Sequence, residues 1–184
     1  MIQAGGQKGG RRRRAGARAL RAAALAAALA LGLAGCGGGP PPQTFDLAAL
    51  PPGGATGRLR GQLIVTEPVA TQALDSERIV VRPTPESVAY LTGAQWSDRL
   101  PKLIQTRIVQ SLENARLLRS VGRPGDRIAA DFLLDAELRR FEIEASGGEA
   151  AVEITVKLVA AGSGRIVAAD VVSARAGLGV ERAG

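Results

Sequence analysis

The chain has no histidine and only one cysteine among its 184 residues. Without histidine, a Ser-His-Asp triad, a Cys-His pair and a histidine-ligated metal site are all excluded. With a single cysteine, no disulfide can form within the chain. The GxxxxGK spacing of a phosphate-binding loop is also absent. We therefore expect a protein that is not an enzyme, that needs no cofactor, and whose fold is held together by packing alone.

Paired carboxylates are the one catalytic option that this composition leaves open. Asp131, Asp135 and Glu137 are the obvious candidates. They lie in a predicted strand, at spacings that expose them to solvent. A polar strand face explains them better than an acid–base pair does.

The single cysteine closes a leader with the order of a bacterial secretion signal. Lys8 and six arginines form its basic part, and the stretch that follows is almost wholly Ala and Leu. About a dozen apolar residues are too few to span a membrane, which needs roughly 20. The leader ends in the sequence of a lipobox, Leu33-Ala34-Gly35-Cys36. We predict a signal peptide at residues 1–35 and acylation, for example by palmitate, at Cys36; an uncleaved anchor helix is the alternative.

The formal net charge of +7 lies entirely in this leader. Seven of the 24 basic residues precede Cys36 and no acidic residue does, which leaves 17 basic against 17 acidic residues in the mature chain. A strongly basic protein would suggest a nucleic-acid partner, but the basic excess is removed with the signal peptide. We expect no nucleic-acid partner and a lipid-anchored protein that faces the periplasm of a Gram-negative bacterium. Gly37 is not the aspartate that commonly retains lipoproteins at the inner membrane, which favours the inner leaflet of the outer membrane.

The mature chain is predicted to have two parts. Residues 36–44 carry the lipidated cysteine and a flexible tether, GGGPPP, in which glycine gives freedom and proline stiffens the far end. Residues 45–184 are long enough for a single periplasmic domain with a hydrophobic core. A short extended piece at residues 45–47 opens that domain.

Three strands and a helix are predicted in the first half of the domain. The strands are residues 62–66, 77–82 and 87–91, which are rich in β-branched residues and bounded by turn residues. Ser97 is expected to cap a helix that starts at Asp98, with Pro101 tolerated in its first turn. Its apolar face contains Leu100, Leu103, Ile104, Ile108, Val109 and Leu112, and its polar face Lys102, Gln105, Arg107 and Gln110.

The second half of the domain is predicted to be an antiparallel meander of three strands. Residues 131–144 form the first strand, and a phase slip at Arg139-Arg140 predicts a β-bulge. Residues 151–159 and 165–173 form the next two, joined by glycine-rich turns. The expected fold is therefore α+β: a two-layer domain whose mainly antiparallel sheet is covered by one amphipathic helix.

Tyr90 and Trp96 are the only tyrosine and tryptophan. They flank a predicted turn at residues 91–95, where the third strand leads into the helix. They are either core residues of this corner or anchors of a partner-binding site, since both residue types are common at interfaces.

The order of these features resembles the ABC-type transport auxiliary lipoprotein family. The resemblance spans nearly all of the mature chain, and residues 79–115 carry most of it. The elements that carry it are the lipobox, Phe45-Asp46-Leu47, the strand LIVTEP, the segment that contains Tyr90, Trp96 and Leu100, and the strand ending in RRFE. The resemblance implies a docking subunit with no catalytic residues, and partners with an MCE-domain protein and an ABC permease and ATPase that move lipids between the two membranes.

The resemblance also implies a helix after the last strand, and the Gly-rich end at residues 177–184 is too short to form one. A truncated C-terminus or an altered reading frame would each explain this, and if the missing helix covers the sheet, we expect open apolar surface there. Two alternatives to the transport function stay open. One is a structural or outer-membrane assembly lipoprotein with no ABC transporter; the other is a carrier that binds a lipid between helix and sheet.

Overall fold

The structure is a computed structural model that describes residues 40–53 and 61–178. From Pro42 onward the described residues belong to one compact unit. The other unit, Met1–Pro41, consists almost wholly of residues that the structure does not describe. The described elements in chain order are β1 (Gln43–Phe45), β2 (Gln62–Val65), β3 (Val69–Ala70), β4 (Arg78–Arg82), β5 (Ala89–Trp96), α1 (Leu100–Ala115), β6 (Ser120–Gly122), β7 (Phe132–Glu144), β8 (Glu149–Ala160) and β9 (Arg165–Gly177).

All of these strands join one sheet that is organised around the long strand β7. On one side β7 pairs with β8 along its full length, and β9 continues the sheet beyond β8. On the other side β7 pairs in turn with β2, β3 and β4. The sheet then extends through β6 beyond β2, and through β5 and β1 beyond β4. β9 is therefore one edge of the sheet and β1 lies at the opposite edge.

The α+β class is confirmed, and the expectation of a mainly antiparallel sheet is correct only in part, because the sheet is mixed. The meander β7–β8–β9 is antiparallel as predicted, whereas β2, β3 and β4 all run parallel to β7, and β1 runs parallel to β5. Tight turns force antiparallel pairing, but β2 and β4 are joined to β7 through long connections, which can return the chain in either direction. Side-chain alternation shows which face of a strand is buried and not which way its neighbour runs.

Two apolar clusters hold α1 against the sheet. The first is formed by Leu74, Val80, Leu100, Ile104 and Leu138, with Leu47, Trp96, Phe141 and Ile154 among the partly buried residues around it. The second is formed by Leu63, Val65 and Val109, with Leu112, Phe132, Leu134 and Leu158 around it. The predicted apolar face of the helix is thus the face that packs on the sheet.

The start of the helix differs from the prediction. α1 begins at Leu100, and Arg99 occupies the N-cap position without a side-chain cap. Ser97 does not cap the helix, because it lies two residues before the N-cap position; its backbone N–H donates to the carbonyl oxygen of Phe45 at 2.8 Å. The carboxylate of Asp98 pairs with the ammonium of Lys102 at 2.8 Å. Pro101 lies in the first turn as predicted.

Gln105 corrects the predicted polar face of the helix. Its side chain is buried, and its amide donates to the carbonyl oxygen of Val65 in β2 at 2.9 Å. A polar residue at the border of an apolar face can turn inward when a free backbone acceptor lies opposite.

The structure also tests the predicted β-bulge, the predicted turn before the helix and the start of the first strand. The β-bulge is confirmed, since the pairing of β7 with β8 shifts register between Leu138 and Arg140. The turn predicted at residues 91–95 is wrong, because β5 is continuous from Ala89 to Trp96. Gly93 has a φ of 73° within it and supplies the irregularity that suggested a turn. The first strand also begins at Gln43, earlier than the piece predicted at residues 45–47.

Candidate partner-binding site

β9 is an edge strand, and β8 is its only pairing partner in the part of the chain that the structure describes. Each of its 13 residues is exposed. Natural proteins usually shorten, bulge or charge an edge of this length, because its free N–H and C=O groups can recruit another strand. The outer side of β9 therefore has the features of a docking surface.

The composition of β9 is that of a strand that is covered on both faces. Ile166, Val167, Val171 and Val172 are between 41% and 54% exposed. Val171 and Val172 are neighbours in the strand, so they lie on opposite faces. Apolar residues on both faces are typical of interior strands, whereas a true edge usually alternates apolar and polar residues. β9 is thus suited to a position between β8 and a further strand.

The two faces of β9 continue different surfaces of the sheet. On the face covered by α1, Val172 lies opposite Ile154, which in turn lies opposite Leu138 in the first apolar cluster. On the other face, Arg175 lies opposite Ala151, which lies opposite Glu142. One face of the edge therefore extends the core and the other extends a group of charged residues.

That group is an ion network that crosses β4, β7, β8 and β9. Glu142 has a side chain only 2% exposed, and its two oxygens bind Arg82 at 2.9 Å and Arg140 at 2.9 Å. Arg140 also binds Glu144, and Arg175 joins Glu144 at 2.6 Å and Glu149 at 3.4 Å. The network contains three arginines and three glutamates, so it is formally neutral and each charge has a partner. It ties the end of β9 to the centre of the sheet.

The arginines of the network lower the pKa values of the carboxyl groups of Glu142 and Glu144. Burial by itself raises the pKa of Glu142, but hydrogen bonds from Arg82 and Arg140 outweigh burial and hold that pKa below its usual value. Hydrogen bonds from Arg175 and then Arg140 lower the pKa of Glu144. Both carboxyl groups are therefore ionised at neutral pH, and neither is suited to donate or accept a proton there.

Two concave regions flank the sheet. A groove of about 460 Å³ is lined by Arg82, Thr84, Pro85, Arg140, Glu142, Glu144 and Ser146, and its arginines are already paired. A larger cavity of about 1250 Å³ lies where the end of α1 meets β6. It is lined by Gly61, Asp131 and residues 112, 113 and 116–121, which include both charged and apolar side chains.

The two predicted aromatic anchors lie in different surroundings on β5. The Trp96 ring packs edge to face on Phe141, with centroids 5.6 Å apart, and both rings pack against the first apolar cluster. The Tyr90 ring is stacked under the Arg78 guanidinium at 3.6 Å from its centroid. Tyr90 also packs against the first apolar cluster. This packing favours the core alternative for both residues, and partner binding by them stays a prediction.

The other candidate residues are placed as follows. Asp131 accepts the backbone N–H of Gln62 at 2.8 Å, Asp135 accepts the hydroxyl of Thr66 at 3.0 Å, and Glu137 is exposed. The side chains of Asp131 and Asp135 thus bind groups at the two ends of β2. No group of acidic or cysteine side chains that could hold a metal occurs within residues 40–53 and 61–178. Leu33, Ala34, Gly35 and Cys36 lie outside the described residues.

Sequence reasoning found β9 as a strand but missed its importance. Alternation cannot tell an edge strand from an interior one unless the strand order is known. The run IVAADVV, which is apolar on both faces, is the signal that could have drawn attention to it. The ion network was missed because its members are spread over four strands.

Comparison with known proteins identifies the group to which the chain belongs. The family model for the ABC-type transport auxiliary lipoprotein component matches residues 45–182. The chain belongs to this family. The description of this family, an auxiliary lipoprotein component of ABC-type transport, indicates the bacterial cell envelope. No helix in the described part of this family member is long and apolar enough to cross a membrane.

Individual relatives agree with this assignment. The uncharacterized protein bll6063 of Bradyrhizobium diazoefficiens is 34% identical over 142 residues, which are 74% of this chain and 38% of the relative. The chain thus spans well under half the length of that curated protein. The crystal structure of XCC0632 from Xanthomonas campestris, of family DUF330, is 27% identical with a TM-score of 0.65, covering 72% of this chain and 77% of that one.

A second solved structure, also of an uncharacterized protein, shares the fold alone. It is 11% identical, with a TM-score of 0.58, and the match covers 75% of this chain and 81% of that one.

Proposed function

We propose that this protein is a lipid-anchored periplasmic accessory subunit of an ABC/MCE-type lipid transport system that maintains outer-membrane integrity. It is anchored through acylated Cys36 in the inner leaflet of the outer membrane, and it acts by docking an MCE-domain protein and its permease and ATPase. It carries out no chemistry of its own. The observation that carries the proposal is an open, apolar edge strand, β9, in a member of an auxiliary lipoprotein family.

β9 suits docking because two kinds of interaction are available along it. Its backbone groups can add a strand of the partner to the sheet, and exposed side chains on both faces can pack beside that strand. The ion network supports the site by fixing one end of β9 through Arg175. Rigid elements hold interface geometry better than loops do.

The test is a crosslinking pull-down of the tagged, membrane-extracted lipoprotein with one β9 variant and one matched control. Val172→Lys places a charge on β9, where the side chain is 54% exposed, and should abolish recovery of the partners. Val69→Lys makes the same change in β3 at a residue 70% exposed, and should leave recovery intact. Thermal unfolding of both variants should match that of the parent.

Three outcomes separate the alternatives. Recovery of an MCE-domain protein with ABC subunits, lost in Val172→Lys alone, supports the proposal. Equal recovery with both variants would move the docking site away from β9. Recovery of a barrel protein or a peptidoglycan-linked partner without any ABC subunit would favour a structural or outer-membrane assembly lipoprotein instead.

A further inference from the structure

The first described residues of the compact unit form a strap along the domain, which we define as residues 43–50. β1 opens the strap and pairs in parallel with the outer side of β5, with Gln43 opposite Ala94 and Phe45 opposite Trp96. The Phe45 carbonyl oxygen also accepts the backbone N–H of Ser97 at 2.8 Å. The strap is therefore part of the sheet from Gln43 onward.

The rest of the strap is fastened along α1. Leu47 packs against the first apolar cluster. Asp46 forms an ion pair with Arg107 at 2.5 Å. The two backbone groups of Leu50 are both bound by the helix: its N–H donates to the Ser111 hydroxyl at 2.9 Å, and its carbonyl oxygen accepts from the Asn114 amide at 2.7 Å. The chain between Gln43 and Leu50 is thus fixed on the domain and does not lengthen the connection between the domain and Cys36.

The length of chain before the strap limits how far the domain can lie from the bilayer. Seven residue steps separate Cys36 from Gln43, and a fully extended chain of that length spans about 25 Å at most. The strand path from β1 through β5, β4, β7 and β8 to β9 has five spacings, or about 24 Å. The tether thus reaches about as far as the sheet is wide, so it keeps the domain near the bilayer without selecting an edge. The chain from Cys36 enters the sheet at β1, which is the edge opposite the β9 docking edge.

The anchor edge carries apolar side chains of its own. Phe45 on β1 and Leu91 on β5 are each 40% exposed. Aromatic and aliphatic side chains beside a lipid anchor gain free energy at the bilayer interface, where rings settle near the headgroups. Together with the short connection to Cys36, these side chains identify the bilayer as the surface that this edge meets.

We propose that the β1–β5 edge rests on the bilayer surface through Phe45 and Leu91, and that this placement directs β9 away from the membrane toward its partner. The proposal rests on the acylation of Cys36 in the proposed function. It names the lipid surface as the ligand of one edge, and it leaves the opposite edge free for a protein.

The lone cysteine makes this placement measurable. In the full-length acylated protein Cys36 is blocked, so an introduced cysteine is the only thiol that a fluorophore can label. Thr92→Cys places the label on β5, and Ser173→Cys places it on β9. Both proteins are bound to phosphatidylethanolamine–phosphatidylglycerol vesicles that contain a headgroup-nitroxide lipid, and quenching of each label is measured.

The expected result is several-fold stronger quenching at Thr92→Cys than at Ser173→Cys. Adding Phe45→Glu should reduce quenching at Thr92→Cys, whereas adding Leu50→Glu, at the far end of the strap, should not. Equal quenching at the two labels, or stronger quenching at Ser173→Cys, in protein that carries its acyl chains would overturn the placement and leave the proposed function standing. Absence of acyl mass on Cys36 would overturn both.

Discussion

At the scale of single residues, the backbone of Arg116 is in an unusual conformation. It ends α1 in the left-handed region with φ 52° and ψ 26°, and its N–H donates to the carbonyl oxygen of Glu113 at 3.1 Å. Helices commonly end this way at glycine, which has no Cβ to clash. Arginine is therefore an unfavourable residue type for this backbone conformation. The Arg116 side chain is exposed and forms no ion pair with the residues that the structure describes.

Replacing Arg116 by glycine should therefore stabilise the protein. The left-handed conformation costs a residue with a side chain roughly 1–2 kcal/mol, and part of that gain is offset by the greater freedom of glycine in the unfolded chain. We expect Arg116→Gly to raise the free energy of unfolding by about 0.5–1 kcal/mol, measured by urea denaturation. Arg116→Ala removes the same charge but keeps a Cβ, and an equal gain in that control would show that the conformation is not the cause.

Glu142 gives a second prediction at this scale, because it is a buried carboxylate with two arginine partners. Glu142→Gln keeps the shape but removes the carboxylate partner of Arg82 and leaves Arg140 with Glu144 alone, and should cost about 2–4 kcal/mol at pH 7. Glu153→Gln is the control: its partner Arg139 has a side chain 49% exposed, so this surface pair should contribute less than about 1 kcal/mol.

The pH dependence of the Glu142 effect has a definite sign. The pKa of Glu142 is lower in the folded protein than its usual value. Its stabilisation is therefore fully present above the ordinary glutamate pKa, about 4.3, and is lost as the pH falls through the folded-state value. The parent and Glu142→Gln should converge in stability as the pH is lowered below about 4. A stability difference that stayed constant from pH 7 to pH 3 would contradict this.

At the scale of elements, α1 is held on the sheet by packing of its apolar face and by one buried hydrogen bond from Gln105. Its apolar face follows from periodicity in the sequence, but the bond from Gln105 to Val65 depends on where β2 lies. Trp96 of β5 takes part in the same packing, so Trp96→Ala would be a poor probe of partner binding. Trp96 packs with Phe141 against the cluster that contains Leu100 and Ile104 of the helix, so its loss would disturb the core.

We expect Gln105→Leu to destabilise the protein even though it makes the buried face more apolar. The change removes the donor to the Val65 carbonyl oxygen, and an unsatisfied buried acceptor costs about 1–3 kcal/mol. Gln110→Leu is the matched control on the same helix, where the side chain is only half-buried and its partner, Arg107, is three residues away. Chemical denaturation of both variants checks this; equal or greater stability of Gln105→Leu would show that the bond contributes little.

At the scale of the whole molecule, the attachment to the membrane and the fold are separate problems. The domain that begins at Gln43 has its own core. We therefore expect Cys36→Ser to move the protein from the membrane fraction to the soluble periplasmic fraction, with loss of palmitate incorporation. Its domain should unfold at the same temperature as that of the detergent-extracted parent. Retention of Cys36→Ser in membranes would indicate an uncleaved anchor helix.

The elements of this protein could be predicted from sequence where local physics decides them. The strands at residues 62–66 and 77–82, the helix face and the bulge at Arg139-Arg140 all follow from periodicities of two and 3.6 residues. Predictions failed where the sequence does not show which groups lie opposite a residue or where an element begins. Gln105 turns toward β2, and the helix begins two residues later than predicted, so that Ser97 is not its cap.

The sequence by itself determined the absence of histidine chemistry, the helix with its apolar face and the strands of the meander, and it predicts the lipobox, because these depend on residue identity and short spacings. Only the tertiary structure decided that β7 has parallel neighbours on one side, that β9 is an open edge, and that β1 lies at the opposite edge. Strand order depends on contacts between residues far apart in the chain. Those contacts are selected by packing of the whole sheet, and no local pattern records them.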